Sequence, residues 1–213
     1  MKKKRKLKKS TKITIIIVSI TMIFGLGIYY VIDNFTARTP VNTKVKVIEQ
    51  IEDFGYNLEE NETKLYKDLF KDLMNELKKD DIDYENYAEL ISKLYVADFY
   101  NLENKITKND VGGTQFIHSS AQENFLVKAK DTMYKNIQSN VYGDRKQELP
   151  VVDKISLENI KEGTFKINND ELNSYIVTLK WTYKKDLGYD QEKEITLVKE
   201  DKKLSIVQTN NVG

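Results

Sequence analysis

The chain has 213 residues and no cysteine, and its charges nearly balance, with 34 Lys and Arg residues against 33 Asp and Glu residues. The absence of cysteine excludes disulfide bonds and thiol chemistry, and any zinc site would need His or carboxylate ligands. The charge is unevenly distributed, because residues 1–12 hold 8 of the basic residues and no acid. The rest has 26 basic residues against 33 acids, a net charge of −7, which argues against nucleic acid as a partner.

The N-terminus predicts a single-pass membrane anchor. The basic tail at 1–12 is followed by a run without any formal charge at 13–32. A helix of that length spans about 30 Å, the thickness of the hydrocarbon layer. A cleaved signal peptide is the alternative, but its apolar region is normally about 7–15 residues long and ends at a small-residue cleavage site.

The position of the basic tail also predicts orientation and location. Because the positive cluster precedes the span, the N-terminus is expected in the cytoplasm and residues 33–213 outside the cell membrane. The tail is further expected to contact anionic lipid. The composition, rich in Lys, Asn and Ile with few prolines, is typical of a bacterium.

Beyond the span, residues 33–44 predict a polar tether, and residues 45–213 predict one α+β domain. The first segment, residues 45–58, fits either a strand or a bent helix. Apolar residues then recur at helical spacing in three segments, which predict three helices. These helices cover about 65–77, 87–102 and 120–137, and their predicted N-caps are Asn61, Asp83 and Ser120.

After Pro150 the apolar period changes from that of a helix to that of a strand. The clearest alternation places Tyr175, Val177, Leu179, Trp181 and Tyr183 on one face. A single buried face predicts an antiparallel sheet that is covered by helices on one side. Short turns at 186–188 and 200–202 predict that the last of four or five strands form a meander.

This order of elements behind an anchor resembles the nuclear-transport-factor-2-like domain. It is similar, more narrowly, to assembly proteins of type IV secretion and conjugation systems in Gram-positive bacteria and to Mce-associated membrane proteins. The resemblance is carried by the segments 13–32, 91–105 and 120–140 and by the strands after Pro150. It implies helices in the concave face of a curved sheet and a role in assembling envelope proteins, and it assigns no functional residue.

The only histidine, His118, marks the first candidate site, since its side chain titrates near neutral pH and Asp110 could orient it. No cysteine is present, however, and Ser119 and Ser120 are better explained as cap residues, so no catalytic triad is formed. The pair Gly112-Gly113 predicts a tight loop with positive φ and not a phosphate-binding loop. The sequence therefore predicts neither an enzyme nor a cofactor.

Three further segments carry candidate residues. Asp98 lies on the apolar stripe of the second helix, and two interpretations are open. It is either a buried carboxylate that accepts hydrogen bonds in a cavity, or a half-exposed residue at the edge of the stripe. The acids at 80–85 resemble a calcium loop but lack its glycine, which favours helix capping. The connection at 142–150 is rich in charge and turn formers, and Tyr142, Asp144 and Arg145 are its candidate partner contacts.

Two hypotheses of function follow from these patterns. The first is a single-pass anchored scaffold of a bacterial envelope, which contacts other envelope proteins or a second copy of itself within a secretion or conjugative transfer assembly. The alternative is a cavity protein on the same fold, which binds a small ligand or transfers a proton through Asp98 and His118.

Overall fold

The computed structural model describes residues 45–212, which form three α-helices and six β-strands. The helices are α1 (Lys64–Leu77), α2 (Tyr84–Phe99) and α3 (Ser119–Asp131). The strands are β1 (Val47–Ile51), β2 (Tyr56–Glu59), β3 (Val152–Ile167), β4 (Asp170–Tyr183), β5 (Glu192–Glu200) and β6 (Lys203–Asn210). The predicted α+β class is confirmed.

The predicted tail, membrane span and tether, residues 1–44, lie outside the described residues. Within 45–212, no helix combines the length and the apolar character that crossing a bilayer requires.

The segment that could have been strand or helix, residues 45–58, is a β-hairpin. Strands β1 and β2 pair antiparallel, with Ile51 opposite Tyr56, and form a two-stranded sheet of their own. A short 3₁₀ turn at Glu52–Phe54 joins them and ends at Gly55, whose φ of +69° requires the freedom of glycine. Because successive side chains of a strand point to opposite faces, Tyr56 and Leu58 both enter the core.

The four strands after Pro150 form one antiparallel sheet in the order β3-β4-β5-β6, which confirms the predicted meander. The alternation read along β4 is also confirmed. Val177, Leu179 and Trp181 are buried, whereas Lys180 and Thr182 on the other face are exposed. The sheet therefore has one dry face, and α2 packs against that face through β3, β4 and β6.

The first two helices begin close to their predicted starts. Asp83 caps α2 as predicted, because its carboxylate accepts the backbone N–H groups of Glu85 and Asn86. The cap of α1 is Thr63 and not Asn61, since the Thr63 hydroxyl accepts the N–H of Tyr66 at 3.1 Å. At the other end of α2, the Tyr100 ring packs on Trp181 of the sheet with centroids 4.5 Å apart.

The third helix differs most from its prediction. It starts one residue before the predicted cap Ser120, and it ends at Asp131 and not near residue 137. Thr132 leaves helical geometry with φ −120° and ψ −93°, and the chain continues in turns. Ala129 is the only fully buried residue of α3, whereas Tyr134 and Ile137 beyond its end are both buried. The apolar spacing at 133–137 therefore reflects buried turns and not a continued helix.

Because one face of β4 is buried and the other is exposed, substitutions at nearby positions should differ in their effect on the free energy of unfolding. Leu179→Ala is expected to lower the free energy of unfolding by about 2–5 kcal/mol, because it removes a fully buried side chain and leaves a cavity. Thr182→Ala, on the exposed face of the same strand, should change it by less than about 0.5 kcal/mol. Urea unfolding of both variants measures the difference, and equal losses would contradict the assignment of faces.

Candidate functional site

Asp98 lies near the C-terminal end of α2 and is buried, with only 7% of its surface exposed. One carboxylate oxygen accepts the backbone N–H of Gly113 at 2.6 Å, and the other forms an ion pair with the Lys105 ammonium. Of the two alternatives for Asp98, the structure shows the buried carboxylate with donors. Both donors belong to the chain that leaves α2, so Asp98 holds that segment in place.

Lys105 is as deeply buried as its partner, with 5% of its surface exposed. Burial by itself lowers the pKa of this ammonium, but the negative charge of Asp98 and the nearby Tyr134 and Glu62 outweigh it and raise the pKa above its usual value. Lys105 is therefore charged at neutral pH. A buried charge of this kind is tolerated only while its partner is present.

Two glycines allow the loop after Lys105 to approach α2 closely. A Cβ atom on Gly112 would overlap the Asp98 carboxylate and backbone carbonyl, so only glycine fits there. Gly113 has a φ of +73°, which confirms the predicted loop with positive φ. The Tyr134 hydroxyl completes the arrangement, because it accepts the N–H of Gly112 at 3.1 Å and donates to the Phe99 carbonyl at 2.7 Å.

The Asp98–Lys105 pair lies at the wall of a pocket of about 490 Å³. Strand β2, the turn before α1, the loop before α3 and α3 itself also contribute to the lining. Three more acids line this pocket, and they are Glu59, Glu62 and Asp110. The lining of this pocket is therefore mostly polar and contains four acidic side chains.

Glu62 is the most perturbed acid of the pocket. Burial and then the negative charge of Asp98, with smaller effects of Glu59 and Asp110, raise the pKa of its carboxyl to about 8, although Lys105 acts in the opposite direction. The pKa of Glu59 is raised as well, mainly by burial and by Asp98. Glu62 is therefore largely protonated at neutral pH, when no cation occupies the pocket.

His118 has a structural role in a different place. Its Nδ1 accepts the backbone N–H of Ser120 at 3.2 Å, and its ring therefore caps α3, while Nε2 lies 2.9 Å from Glu200 Oε2. Since Nδ1 acts as an acceptor, Nε2 carries the proton and donates it to Glu200. The predicted partner Asp110 instead accepts the N–H of Ile106 at 3.0 Å, so the predicted Asp110–His118 pair is wrong.

The structure does not bring Asp98 and His118 together, because His118 is absent from the lining of the pocket around Asp98. The predicted cap residue Ser120 is likewise replaced in that role by His118 itself. Sequence reasoning missed Lys105, Glu59 and Glu62. Lys105 follows Asp98 by seven residues, but α2 ends at Phe99, so the helical relation between positions i and i+7 does not apply to the two side chains.

The candidate contact loop at 142–148 is tied to the same region. The Arg145 guanidinium donates to the Lys105 carbonyl at 2.7 Å and to the Glu103 carbonyl at 2.6 Å, and its side chain is only 2% exposed. Tyr142 and Asp144, in contrast, lie at the surface. Of the three residues predicted as contacts, Arg145 thus anchors the loop while the other two face solvent.

The acids at 80–85 behave as predicted, because Asp83 caps a helix. Within residues 45–212, no three His, Asp or Glu side chains converge closely enough to hold a metal ion.

Comparison of the chain with models of protein families, with curated proteins and with solved structures found no match.

The buried ion pair predicts a measurable coupling. Asp98→Asn should lower the free energy of unfolding by about 3–5 kcal/mol, because it leaves the Lys105 charge buried without a counter-charge. Lys105→Met in the same chain should recover most of that loss. Urea unfolding of the single and double variants measures the coupling, and Asp68→Asn in the exposed pair with Lys64 serves as the control. A silent Asp98→Asn would contradict the role given to the pair.

The cap at His118 predicts that an amide can replace the imidazole. His118→Ala should destabilise the protein by about 1 kcal/mol and speed amide exchange in the first turn of α3, because the Ser120 N–H loses its acceptor. His118→Asn should retain most of the stability, since an asparagine side chain is a good N-cap. Hydrogen exchange followed by mass spectrometry distinguishes the variants, and equal losses in both would argue against capping.

Proposed function

We propose that this protein is a single-pass, membrane-anchored scaffold of a bacterial cell envelope, with residues 33–213 outside the membrane and in contact with other envelope proteins. A secretion or conjugative transfer assembly with a nuclear-transport-factor-2-like outer domain is the setting that fits the order of elements. The basic tail and the uncharged run at 13–32 support the anchor and its orientation.

One observation carries the choice of a scaffold over an enzyme. The two candidate catalytic residues, His118 and Asp98, stabilise the fold. Both ring nitrogens of His118 and both carboxylate oxygens of Asp98 have partners within the domain. A general base would need an open position next to its substrate. These two residues instead fix α3 and the loop before it, and they leave the outer surfaces for contact with partners.

The surface that suits such a contact is an arm formed by the tips of β3 and β4. These strands pair as far as Ile167 and Asp170, whereas β4 pairs with β5 only from Ser174 onward. Residues 164–173 therefore extend as a two-stranded ribbon beyond the rest of the sheet. Phe165 and Leu172 face each other across this ribbon and are only partly buried. Such a projecting ribbon gains stability when a partner covers it.

A second candidate function, the binding of a small ligand, is favoured by the polar pocket around Asp98. The raised pKa of Glu62 and the volume of about 490 Å³ are typical of a binding site, whereas a structural ion pair alone needs no cavity. Proton transfer between Asp98 and His118 does not fit, because His118 does not line that pocket.

The scaffold function predicts a contact that depends on the arm. A photo-crosslinking residue at Lys166, on the exposed arm of the full-length protein, should capture a defined envelope protein in intact cells. The same residue at Lys135, exposed beyond the end of α3, is the matched control and should capture none. The double charge reversal Lys161→Glu and Lys166→Glu should lower recovery of that partner at least about tenfold, which corresponds to about 1.4 kcal/mol of contact energy.

The readout is quantitative mass spectrometry of the crosslinked and affinity-purified protein. Both charge reversals lie at exposed positions of β3, Lys166 within the arm and Lys161 three residues before it, so the thermal melting of the domain should remain that of the unsubstituted protein. Purification of the protein alone, with no crosslink from either position, would contradict the scaffold function.

A further inference from the structure

The pocket around Asp98 carries more negative charge than its own residues balance. Lys105 is the single cationic residue in its lining, and it already pairs with Asp98. The other three acids, Glu59, Glu62 and Asp110, form no salt bridge with any residue in the described range 45–212. A site with three unpaired carboxyls around one cavity favours a cationic ligand.

Two oxygen atoms of the lining residues also lack a hydrogen-bond donor. Asn57 Oδ1 and Glu62 Oε2 are shielded from solvent, and neither accepts a hydrogen bond from any residue that the structure describes. The side-chain amide of Gln115, which also lines the pocket, is already committed, because its Nε2 donates to the Asn57 carbonyl and to the Tyr66 hydroxyl. Buried acceptors without donors are rare in folded proteins, and a rotation of either side chain, both of which line the pocket, would present its oxygen to a ligand with several N–H groups.

The spacing of the acids distinguishes a metal ion from an organic cation. No three acidic side chains of the described residues converge on one point, as the coordination of Ca²⁺ or Mg²⁺ requires. The pocket is also much larger than a single ion, and Val111 and Leu126 add apolar surface to its lining. A ligand whose positive charges are separated by a short carbon chain matches both features.

We propose that this pocket binds an aliphatic diamine or polyamine, whose ammonium groups donate hydrogen bonds to Glu59, Glu62 and Asp110 while its carbon chain lies against Val111 and Leu126. Binding of a diamine rests on the ligand-binding function that is the second candidate above. It does not depend on contacts between the arm and envelope proteins.

Glu62 couples this binding to pH. An alkylammonium group titrates near pH 10, so the ligand stays charged at pH 8.5, whereas the Glu62 carboxyl loses its proton near pH 8 in the empty pocket. A bound ammonium group favours the ionised carboxylate, so binding releases a proton below that pH. Affinity therefore rises as the pH increases from 6.5 to 8.5, by up to about twentyfold if the bound carboxylate is fully ionised.

The test is isothermal titration calorimetry of the full-length protein in lipid nanodiscs. Putrescine is the probe, and 1,4-butanediol, which has the same carbon chain without charge, is the matched control. Putrescine should bind at least about tenfold more tightly than the diol, and its affinity should rise with pH as described. Glu62→Gln should weaken binding at pH 8.5 at least about fivefold and remove most of the pH dependence, because the amide carries no titrating proton and only the smaller contribution of Glu59 remains.

Asp68→Asn on the exposed face of α1 removes one acid outside the pocket and should leave both quantities unchanged. Circular dichroism of each variant confirms that the fold is retained before titration. Equal affinity for putrescine and butanediol would overturn the cationic ligand but leave ligand binding in place. Binding of neither probe would overturn both the cationic ligand and the ligand-binding function. Tighter binding of Ca²⁺ than of putrescine would assign the carboxyls to a metal instead.

Discussion

The ion pair between Asp98 and Lys105 is the contact on which the periphery of this domain depends. It joins the end of α2 to the loop that follows, and the same carboxylate fixes Gly113 in front of α3. Arg145 then binds the backbone carbonyl of Lys105 itself, so the loop at 142–148 is attached to the same point. Two connections that belong to neither the sheet nor the packed helices α1 and α2 are thus positioned by one buried pair of charges.

Elements that depend on local periodicity could be predicted from the sequence. The alternation along β4 places its buried and exposed side chains correctly, because a strand with one dry face imposes that pattern on adjacent residues. Asp83 is the most direct case, since a carboxylate before a helix satisfies N–H groups only two and three residues away. Information of this kind is contained within a few positions of the chain.

The polar pocket could not be predicted in the same way. Its acids come from β2, from the turn before α1, from α2 and from the loop before α3, and only the packing of these segments brings them together. The cap of α3 was missed for a different reason. Histidine is not among the preferred N-cap residues, so the sequence favours Ser120, although the His118 ring accepts the same N–H group that a capping oxygen at its position would.

The two edges of the four-stranded sheet are not equivalent. Ile117 forms a bridge with Ile206, and the His118 N–H donates to the Ile206 carbonyl at 2.8 Å, so the chain itself occupies part of the β6 edge. Strand β3 forms the other edge and pairs with β4 alone among the described strands. A strand added to this sheet therefore finds a longer free edge at β3 than at β6. Two copies that joined through β3 would form a closed dimer, with no equivalent edge left from which a fibre could grow.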